Sequence, residues 1–353
     1  MGIVDETIAS IEPLDESARQ AARARLDSLT KPRGSLGYLE EIVERYAAIR
    51  HDGRATRGSA AIAVFVADHG IADEGVSAYP KAVTVEMLRN FARGGAAICV
   101  LARHFGLELV VVDVGVETDT RAENLPGVIY RRVAPGTVSF IRGRAMDEAQ
   151  VVSALETGIE IARMLGARGA ALIGIGEMGI GNSTSAAALL SALSRIPAAR
   201  AAGFGSGLDQ AGLKRKIAAI ERGLALHRAS LGEGVSILAA LGGFEIAAMA
   251  GACLGAAALR IPIVIDGFIA TAAAAIAEKI RPGLSRHLFF GHRSAEAGHG
   301  PALEWMRARP ILDLEMRLGE GTGAAIAIAT IQAALDLFHE MATFAEAKVS
   351  AKL

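Results

Sequence analysis

Six short apolar runs, rich in valine and isoleucine, recur along this chain at residues 60–67, 109–114, 128–133, 170–175, 261–265 and 287–290. Most are continuously apolar rather than alternating, so strands built from them need cover on both faces. Helical patterns lie between most of them, as at residues 83–105 and 148–165. That succession predicts an α/β fold, a mainly parallel sheet flanked by helices. The first fifty residues read as two polar-faced helices, 16–29 and 36–50, separated by a loop that Pro32, Gly34 and Gly37 punctuate. The last stretch, 324–349, reads as helix and is expected to pair with those N-terminal helices in a small separate bundle.

Composition narrows the function classes. Hydrophobic residues make up 52% of the 353 positions but aromatics only 5%, so the interior has to be built from Ala, Val, Ile, Leu and Gly. Thirty-seven basic residues against 38 acidic ones give a net charge of −1 with no basic tract, which sets nucleic-acid binding aside. Cys99 and Cys253 stand far apart in apolar surroundings and read as buried free thiols. Neither a Cys-x-x-Cys nor a His-Glu-x-x-His spacing occurs, so polar ligand contacts are preferred over metal coordination. Residues 2–10 hold two acids and lack the basic start and apolar core of a signal peptide. The Ala-rich stretch 246–259 is too short for a membrane span and ends at Arg260. A cytoplasmic protein without a membrane span is expected.

The residues that follow the apolar runs say more than the runs themselves. Asp68-His-Gly follows the first, Asp113 closes the second, and Gly174-Ile-Gly-Glu-Met-Gly-Ile-Gly-Asn-Ser-Thr184 follows the fourth. Asp266-Gly follows the fifth and Gly291-His-Arg-Ser-Ala-Glu296 the sixth. Ligands of open α/β sheets bind outside the carboxyl ends of the strands, so these segments predict one crevice fed by several loops.

Gly174-x-Gly176-x-x-Gly179 matches the dinucleotide fingerprint, but the acid expected about 20 residues on to hold a ribose is missing: residues 191–207 contain none. Glu177, inside the motif, would also repel a pyrophosphate. A phosphate site is the better reading, because Asn182, Ser183 and Thr184 offer donors at a helix start. A second glycine loop, Gly203-Phe-Gly-Ser-Gly207, precedes a helix carrying Lys214, Arg215 and Lys216.

Near the end of the chain, Arg317-Leu-Gly-Glu-Gly-Thr-Gly323 sets Glu320 between glycines just before an apolar helix. Small neighbours let a ligand approach closely, and the helix start favours an ionised carboxylate. Glu320 is therefore a candidate general base, or else a helix cap. Glu320 shares three further open roles with the other carboxylates at these loops, Glu177, Glu245 and Asp266: binding sugar hydroxyls, orienting a base, or satisfying backbone donors. His69 and His292, at strand ends, read as hydrogen-bonded structure.

Taken in order, these segments resemble one family. Lys31-Pro-Arg-Gly-Ser-Leu-Gly37, Ala67-Asp-His-Gly-Ile71, Glu74-Gly-Val-Ser-Ala-Tyr-Pro80 and Asn90-Phe-x-x-Gly-Gly-Ala-Ala-Ile98 carry the first part. Gly176-Glu-Met-Gly-Ile-Gly-Asn-Ser-Thr184, Leu241-Gly-Gly-Phe-Glu-Ile246, Ile265-Asp-Gly-Phe268 and Arg317 to Gly323 carry the rest. The chain is similar to nicotinate-nucleotide–dimethylbenzimidazole phosphoribosyltransferases, which build the lower ligand of cobalamin. The resemblance implies transfer of the 5-phosphoribosyl group of nicotinate mononucleotide to 5,6-dimethylbenzimidazole, without metal or other cofactor, giving α-ribazole 5′-phosphate and nicotinate. Glu320 would take the azole proton, and the leaving pyridinium would depart neutral at its ring nitrogen with no general acid.

By the same resemblance Glu177 is a second active-site carboxylate and Lys216 an active-site lysine, with Gly176, Gly179 and Ser294 near the nucleotide. Asp266 matches an acid at its strand end. Glu245 stands where many relatives carry Asp. Tyr79 and Met87 are the candidate walls of the pocket for the aromatic base. The implied architecture is a Rossmann-like domain over residues 30–323, with a small helical domain from residues 1–29 and 324–353. The resemblance further implies a homodimer with both subunits near the active site.

Overall fold

The computed structural model describes residues 2–205 and 207–350. Seven strands form one sheet: β1 Ser59–Ala67, β2 Glu108–Gly115, β3 Val128–Tyr130, β4 Ala170–Met178, β5 Ile263–Ile265, β6 Leu288–His292 and β7 Pro310–Leu312. Their order is β3-β2-β1-β4-β5-β6-β7, and every neighbouring pair is parallel. The expected mainly parallel α/β sheet is what the chain forms. β7 was not expected: it is three residues long and opens on Pro310, which an edge strand tolerates because one side needs no donor.

The two cores can be read along β1. Ala61, Ala63, Phe65 and Ala67 belong to one buried cluster, and Ala60, Ile62, Val64 and Val66 to the other. Alternate side chains point to opposite faces of a strand, so a run that is apolar throughout builds a core on each side. The first core packs the helices Glu148–Ala167, Phe244–Ala258 and Phe268–Ile280; the second packs Tyr38–Arg50, Ala97–Phe105 and Thr322–Glu340. With so few aromatics, helices approach closely. A Cβ at Gly251 would lie 2.0 Å from the Leu155 carbonyl oxygen.

Two helices differ from their sequence patterns. The stretch 83–105 is split into Val83–Ala92 and Ala97–Phe105 at Gly94, whose φ of +75° ends the first. The last helix runs Thr322–Glu340 and is followed by turns. It is long and apolar enough to cross a membrane, but Ala324, Ala325, Ile328 and Ile331 are buried in the core on the sheet. Its far end meets the N-terminal helices. Arg25 donates to the Phe338 and His339 carbonyls at 2.9 and 3.0 Å, a cation on the orphan acceptors of a helix C-terminus.

Strand order reverses between β1 and β4, whose neighbours lead away in opposite directions. A crevice opens outside the carboxyl ends of the strands at such a switch point.

Candidate active site

A cavity of about 670 Å³ occupies this crevice. It is lined by Glu177 and Met178 from the end of β4, Gly179 to Ser183 from the following loop, and Asp266 to Ile269 after β5. His292 and Ser294 reach it from β6, and Arg317 to Glu320 close one side. Of the sequence candidates, Tyr79, Met87, Glu177, Gly179, Asp266, Ser294 and Glu320 line this one space. A cleft of about 360 Å³ near β3, walled by Arg121, Tyr130, Arg132 and Glu156, holds none of the sheet-end carboxylates.

The remaining candidates stand behind the wall. Gly176 is the seat of the Glu320 turn: a Cβ there would fall 2.1 Å from the Gly321 nitrogen. Lys216 is fully buried and donates Nζ to Ser183 Oγ at 2.9 Å and to the Gly203 carbonyl at 3.2 Å. Burial lowers its ammonium to about 8, opposed by the charge of Glu296. Glu245 is also fully buried, and His69 Nε2 lies 2.7 Å from its Oε1. Ser185 Oγ holds the other ring nitrogen at 3.1 Å. Ser206 of the second glycine loop lies outside the described residues.

The turn at Glu320 is set by its neighbours. Gly319, Glu320 and Gly321 all have positive φ, at 85°, 63° and 82°, and only the middle residue carries the strain of a side chain there. The Glu320 N–H donates to the Glu177 carbonyl at 3.2 Å, which hangs the turn on β4. Glu320 does not cap the helix it precedes. Asp266 does: its Oδ2 accepts the Gly321 N–H at 3.2 Å and its Oδ1 the Ala324 N–H at 2.9 Å. Glu320 Oε2 is buried and has no hydrogen-bond partner among the described residues.

The electrostatics correct one expectation. A helix start was expected to favour the ionised form of Glu320, yet its carboxyl is raised to about 7. Burial is the main cause and the charge of Asp266 the next, while the Ile98 N–H works the other way. The amides that would have favoured the anion are taken by Asp266. Glu177 is raised further, to about 8, by burial and then by the charge of Glu245; Asn182 Nδ2, which donates to its Oε2, opposes this. Burial also raises Asp266, against His292 and the backbone N–H groups of Ala324, Gly321 and Gly323.

Not every polar strand end feeds the cavity. Asp113 turns back to the Val116 N–H at 2.9 Å and to Arg132 at 3.0 Å, and Asp68 takes the Glu117 N–H at 2.8 Å. Sequence reasoning also missed side chains that line the space. Phe268, two residues after Asp266 in a segment singled out for its acid, supplies an apolar wall. Arg317 brings a guanidinium, and Glu296 a carboxylate with a buried oxygen that has no partner among the described residues. The arrangement brings together a carboxylate poised near neutrality, a helix start at Asn182 and Ser183, and apolar walls. That combination suits proton abstraction from a flat acceptor beside a phosphorylated ligand.

A family model described as phosphoribosyltransferase matches residues 11–349. The chain is 48% identical over 353 residues to the nicotinate-nucleotide–dimethylbenzimidazole phosphoribosyltransferase of Chloroflexus aurantiacus, covering all of both. It is 51% identical over 347 residues to the protein of that name from Azotobacter vinelandii, covering 98% of each. The crystal structure of CobT from Thermus thermophilus superposes with a TM-score of 0.91 at 45% identity, covering 95% of this chain and 100% of that one.

Proposed function

Because the chain belongs to the nicotinate-nucleotide–dimethylbenzimidazole phosphoribosyltransferase family, we propose a mechanism for its phosphoribosyl transfer in assembling the lower ligand of cobalamin. The 5-phosphoribosyl group of nicotinate mononucleotide passes to an azole nitrogen of 5,6-dimethylbenzimidazole, giving α-ribazole 5′-phosphate and nicotinate. As the first azole nitrogen bonds to the anomeric carbon, the bond to the pyridinium nitrogen breaks and its electron pair leaves with nicotinate. The proton of the second azole nitrogen goes to Glu320. One observation carries this reading: Glu320 Oε2 is buried in the cavity with no partner among the described residues. A carboxylate titrating near 7 is matched to accepting that proton at neutral pH.

Glu177 lies on the same wall and, raised to about 8, is largely protonated at neutral pH. In that form it donates a hydrogen bond to the ribose or the acceptor. The helix start at Asn182 and Ser183, with Lys216 behind it, takes the phosphate. Tyr79 and Met87 flank the acceptor base from the exposed side. The ring face of Tyr79 and the flexible thioether of Met87 offer mainly shape, which favours tolerance of other flat bases.

The proposal extends to a cytoplasmic location and to a homodimer, and two exposed apolar side chains at the cavity rim, Tyr79 and Leu318, support the dimer. Mass analysis of products from nicotinate mononucleotide mixed with 5,6-dimethylbenzimidazole, benzimidazole, a purine and a phenol tests the reaction. α-Ribazole 5′-phosphate as the main product is expected, and its absence with nicotinate mononucleotide intact would refute the reading. Sedimentation of the purified protein tests the dimer.

A further inference from the structure

His299 lines no part of the cavity, yet three of its neighbours do. It is fully buried, and its ring stands edge-on to Phe268 and to His292, with 6.3 Å between centroids in each case. Phe268, His292 and Ser294 all face the cavity. Both ring nitrogens of His299 are occupied. The Ser294 N–H donates to Nδ1 at 2.8 Å, and Nε2 lies 2.9 Å from Thr271 Oγ1. A main-chain N–H can only donate, so Nδ1 carries a lone pair and the proton of the neutral ring sits on Nε2, directed at Thr271. Burial, with the charges of His292 and Arg293, pushes His299 down to about 3, in keeping with a neutral ring.

Ser294 is therefore held from behind. Its Oγ accepts the Glu296 N–H at 3.3 Å, and among the described residues no acceptor takes its hydroxyl proton. Thr271 belongs to the helix Phe268–Ile280, whose first turn supplies the apolar wall. His299 thus pins the polar Ser294 loop to the helix that carries Phe268.

We propose that His299 is a positioning residue for the nucleotide, its neutral Nδ1 fixing the Ser294 main chain so that the Ser294 hydroxyl donates to an oxygen of nicotinate mononucleotide. The inference rests on the reading of this cavity as the nicotinate mononucleotide site. A hydroxyl aimed by a buried support loses its geometry when the support goes, even though it touches the ligand itself.

Two substitutions separate the ring nitrogens. His299→Asn sets an amide oxygen where Nδ1 stands and still accepts the Ser294 N–H. His299→Gln reaches Thr271 instead and leaves that N–H without an acceptor. With the full-length protein, KM for nicotinate mononucleotide is expected to stay within about twofold of wild type in His299→Asn and to rise about tenfold or more in His299→Gln. KM for 5,6-dimethylbenzimidazole is expected to stay unchanged in both. Equal nucleotide KM values in the two variants overturn the inference, because both lose the same ring packing.

Ser294→Ala tells the two possible failures apart. If it raises the nucleotide KM while His299→Gln does not, the positioning role falls and the site reading stands. If both are silent, the placement of the nucleotide at Ser294 falls with it. Should either variant fail to fold, the ring ¹⁵N shifts of His299 in the wild type decide. A proton on Nε2 and a bare Nδ1 are expected; a proton on Nδ1 overturns the assignment.

Discussion

Asp266 Oδ1 accepts the Ala324 N–H at 2.9 Å and thereby caps the helix that Glu320 precedes. Its Oδ2 takes the Gly321 N–H at 3.2 Å, so the capping acid comes from the end of β5 rather than from the turn itself. This relationship leaves Glu320 Oε2 buried with no hydrogen-bond partner among the described residues.

Glu320→Gln is expected to lower turnover by about 10²–10⁴ while the protein stays folded, since general-base assistance is worth that much and the amide keeps the side chain's shape. Nicotinate release at saturating substrates measures it. In the wild type the base form grows as pH rises through about 7, so turnover should fall on the acid side with an apparent pKa near that value. A rate that stays flat down to pH 5 would refute the assignment.

Glu177→Gln is expected to cost far less at neutral pH than Glu320→Gln, because an amide donor mimics the protonated acid and can still accept from Asn182. Glu177→Ala strands the Asn182 amide and should cost more. The substitution to Gln should also stabilise the fold at high pH. The folded acid titrates at about 8 against an ordinary value of 4.5, so the native state binds the extra proton between those values. The burial penalty of the anion is absent below about 4.5, grows with pH, and is complete above about 8. Unfolding midpoints of the two proteins should therefore coincide at pH 4 and diverge by a few degrees, in favour of the variant, at pH 9.

Gly176→Ala tests the seat of the turn. The added methyl carbon would fall 2.1 Å from the Gly321 nitrogen and 2.5 Å from the Glu320 carbonyl carbon, both backbone atoms. The turn must move, so turnover should drop by about 10²-fold or more for a shift of about 1 Å. Hydrogen exchange at Gly321 and Thr322, compared with the wild type, reports the displacement.

Asp266→Ala removes the cap and should cost about 1–2 kcal/mol in thermal or denaturant unfolding. Asp266→Asn keeps one acceptor and should cost less. Both should impair turnover, because Gly321, which the cap holds, adjoins Glu320. Unchanged turnover in the alanine variant would show that the turn is held by β4 alone.

Much of the fold was legible in the chain. Six of the seven strands overlap the apolar runs, five of them because a strand buried on both faces leaves a near-continuous apolar stretch; β3 is half-buried and stops before Arg131. β7 escaped notice because three residues starting at Pro310 carry no periodicity to read. The split at Gly94 was legible only in part: the glycines were visible, but a left-handed φ is a property of the folded backbone. Among the site candidates, Tyr79 and Glu320 are brought to one cavity although most of the chain separates them. Phe268, two residues after Asp266, carries no sequence signal of its own that marks it as a cavity wall.

The amino-acid sequence by itself determined that the strands are parallel and doubly covered, that polar loops gather at their carboxyl ends, and that a glutamate sits between glycines where a side chain can meet a ligand. It left four carboxylates, Glu177, Glu245, Asp266 and Glu320, with the same menu of roles. Only the tertiary structure decided among them. Asp266 meets amides 55 and 58 residues away, and Glu245 meets His69. Glu177 meets Asn182. Of the cavity's carboxylates among these four, Glu320 alone keeps a buried oxygen without a partner among the described residues. Hydrogen-bond partners and loss of water set what a carboxylate can do, and both come from residues remote along the chain.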